Sequence, residues 1–290
     1  MNPSEGLSIY FNGRFLPATA PLYSSLDRGL RFGEGLFETL LCVSGEPLYW
    51  SQHWRRLTDG LRELKLSLSL DVSEGYQLAR ELLRRCGHFD GEARLRITCT
   101  GGNTARGAAA LAEGRLREAT LLLDCARLSP RTLLLRQGAQ LTLAPRPGGR
   151  GPLAHLKGIS WLTSLQALEA SRRGEEPLLH RDGFVLEGAS TNLFFLSDEG
   201  LVTPPATSEL LPGTSRARIF EAARELSLQC SEQPLTLKLL RDRERVPCVA
   251  LSNALLPITL ATHLDGAPLA PPPCWWHTLV QRLQASRARS

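Results

Sequence analysis

The chain has 290 residues, 42% of them hydrophobic, enough for one large core or two of ordinary size, since single domains usually hold about 100–200 residues. Lys and Arg exceed Asp and Glu by 34 to 29. The excess is scattered, which excludes the dense basic block of a nucleic-acid footprint and fits a site for anionic ligands. Seven cysteines, with no CxxC pair or regular spacing, argue against a disulfide framework and a structural zinc site; without a signal-like start or a membrane-length apolar run, a soluble cytoplasmic protein is expected.

In chain order, "LSIYFNGRFLP" alternates around Asn12-Gly13, the local signature of a type I′ hairpin. Trp54, Leu57, Leu61 and Leu64 recur at helical steps between Ser51 and Leu66, and "SEGYQLARELLRRCG" repeats the pattern up to Gly87. "EARLRITCT" and "ATLLLDCARL" read as strands flanking the Gly- and Ala-rich loop "GGNTARGAAALAEG". This closes a first domain, residues 1–125, and "LSPRTLLLRQG" marks the crossing into a second, residues 126–290. There "RPGGRGP" reads as a flexible loop and "SWLTSLQALEASRR" as a helix. "EPLLHRDGFVLEGAS" is a hairpin about Asp182-Gly183, continued by "TNLFFLSDEGLVTPP". The helix "TSRARIFEAARELS", the strand "VPCVALSN" and an amphipathic tail from Trp275 to Gln284 follow. Strand-rich halves with segregated helices predict α+β architecture.

Lys157, in "PLAHLKGISWL", has Leu153, Leu156, Ile159 and Leu162 around it. Desolvation there would lower its pKa and make the amine nucleophilic, whereas a lysine snorkelling from an apolar surface is the plainer reading. Glu187 ends the strand "FVLEGAS" and is either a solvated glutamate or a carboxylate for a cationic ring nitrogen. Ser190, Thr191 and Asn192 form a polar cluster fit to bind phosphate or to cap a turn. Gly213, Thr214 and Ser215 fall at a helix start, where unpaired amides attract anions; Ser215 reads equally as an N-cap. Arg56, in "HWRRL", is a helix-surface residue or a guanidinium fork for phosphate.

Taken in order, "DRGLRFGEGLFETL", "HWRRL", "HLKGISWL", "DGFVLEGASTNLF", "LLPGTSR" and "LSNALLPI" resemble the fold-type IV (class IV) pyridoxal-phosphate enzymes. That group contains branched-chain and D-amino-acid aminotransferases and 4-amino-4-deoxychorismate lyase. The resemblance covers nearly the whole chain. It implies a two-domain α+β fold, with a smaller N-terminal α/β domain and a larger, β-barrel-like C-terminal domain that binds pyridoxal 5'-phosphate. It also implies that Lys157 is the Schiff-base lysine and general acid/base, and that Glu187 keeps the pyridine nitrogen protonated. Arg56, Thr214, Ser215, Asn253 and Ala254 would contact the phosphate, Leu211 would pack on the ring, and Ser190 would add a polar contact. A homodimer and a small-molecule amino substrate are implied too.

Within the family, "LSNALLPI" and "GLFETL" look most like aminodeoxychorismate lyases, which release 4-aminobenzoate and pyruvate. A class IV aminotransferase using 2-oxoglutarate is the alternative, and a catalytically silent cofactor binder a third reading, against which the intact Lys157 and Glu187 argue. Many relatives carry arginine at the positions of Leu41 and Thr100, so Arg106 in "TARG" becomes the candidate for the substrate carboxylate.

Overall fold

In the computed structural model, which describes residues 8–103, 116–172, 174–207, 209–242, 246 and 248–287, Asn12 and Gly13 both take positive φ, 39° and 88°. This is the backbone that a type I′ turn demands, and it joins β1 (Ser8–Phe11) to β2 (Arg14–Pro17). The short helix α1 (Arg28–Phe32) is started by the Asp27 side chain, which accepts from the Gly29 and Leu30 amides. Then come β3 (Gly35–Val43), β4 (Glu46–Pro47), α2 (Trp50–Glu63), β5 (Leu66–Ser67) and α3 (Val72–Arg85). Helix α3 opens on a capping box between Asp71 and Glu74. Strands β6 (Glu92–Thr100), β7 (Arg117–Glu118) and β8 (Thr120–Arg127) complete the set.

These elements, with residues 156–160, make one of two units: residues 1–128 with 156–160, and 129–155 with 161–290. Its six-stranded sheet runs β2-β1-β8-β6-β3-β4, antiparallel throughout. Alternation decides which face is covered. Leu36, Leu40 and Cys42 of β3, Ala93, Leu95, Ile97 and Cys99 of β6, and Leu121, Leu123 and Cys125 of β8 pack into one core with Trp54, Leu57 and Leu61 of α2 and Leu82 and Leu83 of α3. Residues 156–160 run beside the start of β3. The Phe37 amide donates to the Lys157 carbonyl (2.9 Å), and the Ile159 amide to the Gly35 carbonyl (3.0 Å). Gly35 must lack a side chain, because a Cβ would stand 2.4 Å from the Cys99 carbonyl oxygen.

The other unit starts with α4 (Pro130–Gln137), where a polar crossing was expected. Ser129 caps it and Pro130 sits at the tolerant first turn. After β9 (Ala139–Leu143) and α5 (Leu162–Ala170), the hairpin of β10 (Glu175–Arg181) and β11 (Phe184–Gly188) turns at Asp182 and Gly183, with φ of 50° and 81°. Strands β12 (Asn192–Ser197) and β13 (Gly200–Thr203), helix α6 (Thr214–Glu225), β14 (Gln229–Glu232), β15 (Leu235–Thr236) and α7 (Leu237–Arg241) follow. The described chain ends with β16 (Cys248–Ser252), β17 (Thr259–Leu264), β18 (Ala267–Pro268) and α8 (Trp276–Arg287). Nine strands pair in the order β14-β13-β12-β16-β17-β9-β10-β11-β15, with β18 on β17. Strand β12 is buried on both faces. Leu193 and Phe195 join a core with β9, β16 and β17, while Phe194 and Leu196 face Ile219 of α6 and Leu279 and Leu283 of α8. That explains why "NLFFL" reads as a continuous apolar run.

Candidate active site

In the unit of residues 129–155 and 161–290, Glu187 is placed on β11 with 2% of its surface exposed. A buried carboxylate needs partners. Arg150 Nε donates to its Oε1 at 2.5 Å, and the Leu211 amide donates to its Oε2 at 3.2 Å. Arg150 also reaches the Ala189 carbonyl, so the guanidinium ties "RPGGRGP" to the strand end. The expected flexible loop holds an ordered ion pair there.

The polar residues that follow form one linked cluster with it. Glu176 of β10, with none of its surface exposed, accepts the Ser190 amide (2.7 Å) and both the Ser190 and Thr191 hydroxyls, and pairs with Arg131. Asn192 donates to the Leu211 carbonyl (2.8 Å). Asn253 donates to the Ser190 carbonyl and accepts the Leu255 and Leu256 amides, which folds "SNALLP" into a turn around Ala254. Ser215 donates to the Asn253 carbonyl (2.8 Å), tying that turn to the first turn of α6. Glu187, Ser190, Leu211, Thr214, Ser215, Asn253 and Ala254 therefore belong to one framework. Helix α6 begins at Thr214 with Gly213 as N-cap and no side-chain capping bond. A Cβ on Gly213 would meet Asn192 Oδ1 at 2.1 Å. This helix entrance has the backbone donors and dipole that suit a phosphate.

Within the unit that holds Lys157, its ammonium lies 4.7 Å from the Phe37 ring centroid and its backbone is held by β3. Arg56, on α2, places its fork on Glu38 of β3: Nε to Oε1 and Nη2 to Oε2, each 2.7 Å. His53 Nδ1 completes the Glu38 shell at 2.7 Å. Burial pushes the Glu38 carboxyl upward, but Arg56 and His53 win and hold it at about 2. Burial also lowers the His53 pKa, against the opposing pull of Glu38. Nearby, Glu34 is clamped by Arg117 (2.7 Å) and by Arg28, itself 2% exposed, and these arginines hold its pKa down against burial.

Leu41 is 2% exposed, and the buried Thr100 hydroxyl donates to Asp27 Oδ2 at 2.7 Å. Arg106 lies outside the described residues. His155, two positions before Lys157 in the chain, is exposed. Sequence reasoning missed Arg150, Glu176 and Glu38. Only Glu38 carried a signal: it falls at an inward position of β3, in line with Leu36 and Leu40.

A model of the amino-transferase class IV family matches residues 35–262. The chain belongs to the amino-transferase class IV family. It is 26% identical to an aminodeoxychorismate lyase of Bacillus subtilis over 260 residues, covering 89% of this chain and 86% of that protein. It is also 26% identical to a branched-chain-amino-acid aminotransferase of Escherichia coli over 286 residues, covering 89% and 85%. Among solved structures, a hypothetical aminotransferase from Mycobacterium tuberculosis in its PLP-bound form superimposes with a TM-score of 0.80, at 22% identity, over 97% of this chain and 99% of that one. The fold is thus the α+β fold of these aminotransferases.

Proposed function

We propose that this class IV enzyme is a 4-amino-4-deoxychorismate lyase, forming 4-aminobenzoate and pyruvate for folate biosynthesis, with pyridoxal 5'-phosphate as its cofactor. The observation that carries the cofactor assignment is the linked framework around Glu187: a buried carboxylate on a strand end, tied through Leu211 to a helix entrance without a side-chain cap. Those residues fit the group, an acidic side chain for a cationic ring nitrogen and the backbone amides of a helix entrance for a phosphate. When bound, the cofactor supplies an electron sink for a carbanion.

The chain's own residues do the rest. Lys157 would hold the cofactor aldehyde through its amine, and that amine would move protons at the substrate carbon. Glu187, oriented by Arg150 and the Leu211 amide, would keep the ring nitrogen protonated. Thr214 and Ser215 at the start of α6, with Asn253 and Ala254, would hold the phosphate, Leu211 would pack on the ring, and Ser190 would add a polar contact. Arg56, oriented by Glu38, would contribute its guanidinium to the phosphate. Residues 126–290 are the cofactor-binding domain in this reading, and the enzyme works as a cytoplasmic homodimer.

The lyase reading rests on "LSNALLPI" and "GLFETL" and on the Bacillus subtilis relative. An aminotransferase acting on a D- or branched-chain amino acid is the second reading, because the Escherichia coli aminotransferase matches at the same identity over the same share of this chain. Purified protein is given aminodeoxychorismate while 4-aminobenzoate fluorescence is followed, with D-alanine or L-leucine plus 2-oxoglutarate in parallel. Appearance of 4-aminobenzoate supports the lyase. Its absence together with glutamate formation assigns the aminotransferase.

A further inference from the structure

Cys86 is the C-cap of α3 and Cys125 lies on β8 of the same unit. Side chains alternate along β8, so Cys125 points with Leu121 and Leu123 into the core that α3 covers, and Cys86 packs against that core. One carbonyl ties the two positions together. The Leu82 oxygen accepts the Cys86 amide at 3.0 Å and stands 4.0 Å from Cys125 Sγ, because Leu82 and Cys86 are one helical turn apart. On its other side the neutral Cys86 thiol donates to the Ser8 carbonyl of β1 at 3.2 Å. Placed in this way, the two thiols hydrogen-bond to each other.

That contact separates the pair from other cysteines of the chain. Burial pushes the thiols of Cys42 and Cys99 up to about 12, and those of Cys230 and Cys248 up to about 11. The hydrogen bond from Cys125 works the other way on Cys86 and brings it down to about 7, against burial and against Asp124, whose own charge is paired with Arg94. The same contact, with burial, pushes Cys125 up. Exposure matches this division: Cys125 is 6% exposed and Cys86 is half-buried, so a small oxidant meets the more acidic sulfur first. A disulfide brings its sulfurs to about 2 Å, and a pair already in hydrogen-bond contact needs a short closing movement to reach it. Cys86 can supply that movement. No further turn of helix is built on it, and Gly87 follows at φ 67° with open space where a Cβ would stand.

We propose that Cys86 and Cys125 form a peroxide-oxidised modification site, in which Cys86 is the attacking thiolate and Cys125 the thiol that resolves it. The Cys86 sulfur attacks one oxygen of a hydroperoxide. An S–O bond forms, the O–O bond breaks, and the departing oxygen takes a proton from solvent to leave as water, or as an alcohol from an organic peroxide. The Cys125 sulfur then attacks the Cys86 sulfur. An S–S bond forms, the S–O bond breaks, and the hydroxyl leaves with the Cys125 proton as water. The two sulfurs together lose two electrons and the peroxide gains them. Stopping at a disulfide keeps Cys86 off the irreversible steps of thiol oxidation, and a dithiol returns both residues to the reduced state. The site is independent of the cofactor and substrate assigned above.

The test exposes the full chain, reduced and saturated with pyridoxal 5'-phosphate, to hydrogen peroxide, first equimolar and then in excess. Remaining thiols are alkylated and the peptides mapped by mass. Wild type should lose two thiols together, recovered as one peptide pair joined between Cys86 and Cys125 and lighter by two hydrogens, and dithiothreitol should restore both. In C86S, Cys125 should keep its thiol. In C125A, Cys86 should be trapped by dimedone as the sulfenic acid and pass to the sulfinic acid in excess peroxide, a product that wild type does not accumulate. The exposed Cys274 is the control for exposure alone. The inference is overturned if Cys86 keeps its thiol, if it pairs with any other cysteine, if the joined peptide forms only in urea, or if wild type and C125A yield the same sulfinic acid. Should C125A not fold, the wild-type peptide map decides alone.

Discussion

Replacing Glu38 by Gln tests the buried charge network on which the orientation of Arg56 depends. Glu38 is 1% exposed and Arg56 17%, so the substitution leaves a guanidinium that swings toward water and a buried His53 with one partner fewer. Breaking a buried pair usually costs about 3–5 kcal/mol, and the partial exposure of Arg56 points to the lower end. Linkage gives the same size: a carboxyl held at about 2 against an ordinary 4.5 corresponds to about 3 kcal/mol at neutral pH. The folded pKa is depressed, so this stability is present above pH 4.5 and is lost as the pH falls toward 2. Urea unfolding at pH 7 and pH 3.5 measures both features. E38Q should be about 3 kcal/mol less stable at pH 7, with a gap roughly 1 kcal/mol smaller at pH 3.5. A penalty below 1 kcal/mol, or one indifferent to pH, would refute the reasoning.

Burial holds the His53 pKa below 6.5, so wild type should lose stability as the pH falls through 6.5, the unfolded chain taking the proton first; H53N should flatten that limb in urea titrations. Replacing Gly35 by Ala forces a Cβ against the Cys99 carbonyl and should cost about 1–3 kcal/mol, seen as a lower melting temperature with faster proteolysis of residues 156–160. E176A removes the acceptor of Ser190 and Thr191 and the carboxylate partner of Arg131. Calorimetry should find it destabilised by about 3 kcal/mol or more, with weaker cofactor retention on dialysis. E187Q should still bind cofactor but turn over amino substrates roughly 100-fold more slowly, the size typical of losing one preorganised electrostatic partner.

Local chemistry made much of the fold readable. The hairpins at Asn12-Gly13 and Asp182-Gly183 and the helices on α2, α3 and α6 follow from turn residues and periodicity within a few positions of one another. Helix α4 escaped because Ser129-Pro130 reads as an interruption, although serine followed by proline is also how a helix begins. The strap of residues 156–160 along β3 joins positions about 120 apart in the chain, and no local pattern encodes such a pairing. Arg150 and Glu176 were hidden for related reasons: one sits in a Pro- and Gly-rich loop without periodicity, and the other precedes a proline in a strand whose partner turn comes later. The residues expected to serve the cofactor were legible through their motifs. Their support was not, because it consists of long-range polar contacts.

The proposed activity depends on covalent attachment of the cofactor at Lys157. Borohydride reduction of protein incubated with pyridoxal 5'-phosphate, followed by proteolysis and mass mapping, should place the phosphopyridoxyl group on the peptide containing Lys157, and K157A should lose it. A label on another lysine, or none on the wild-type protein, would contradict the account.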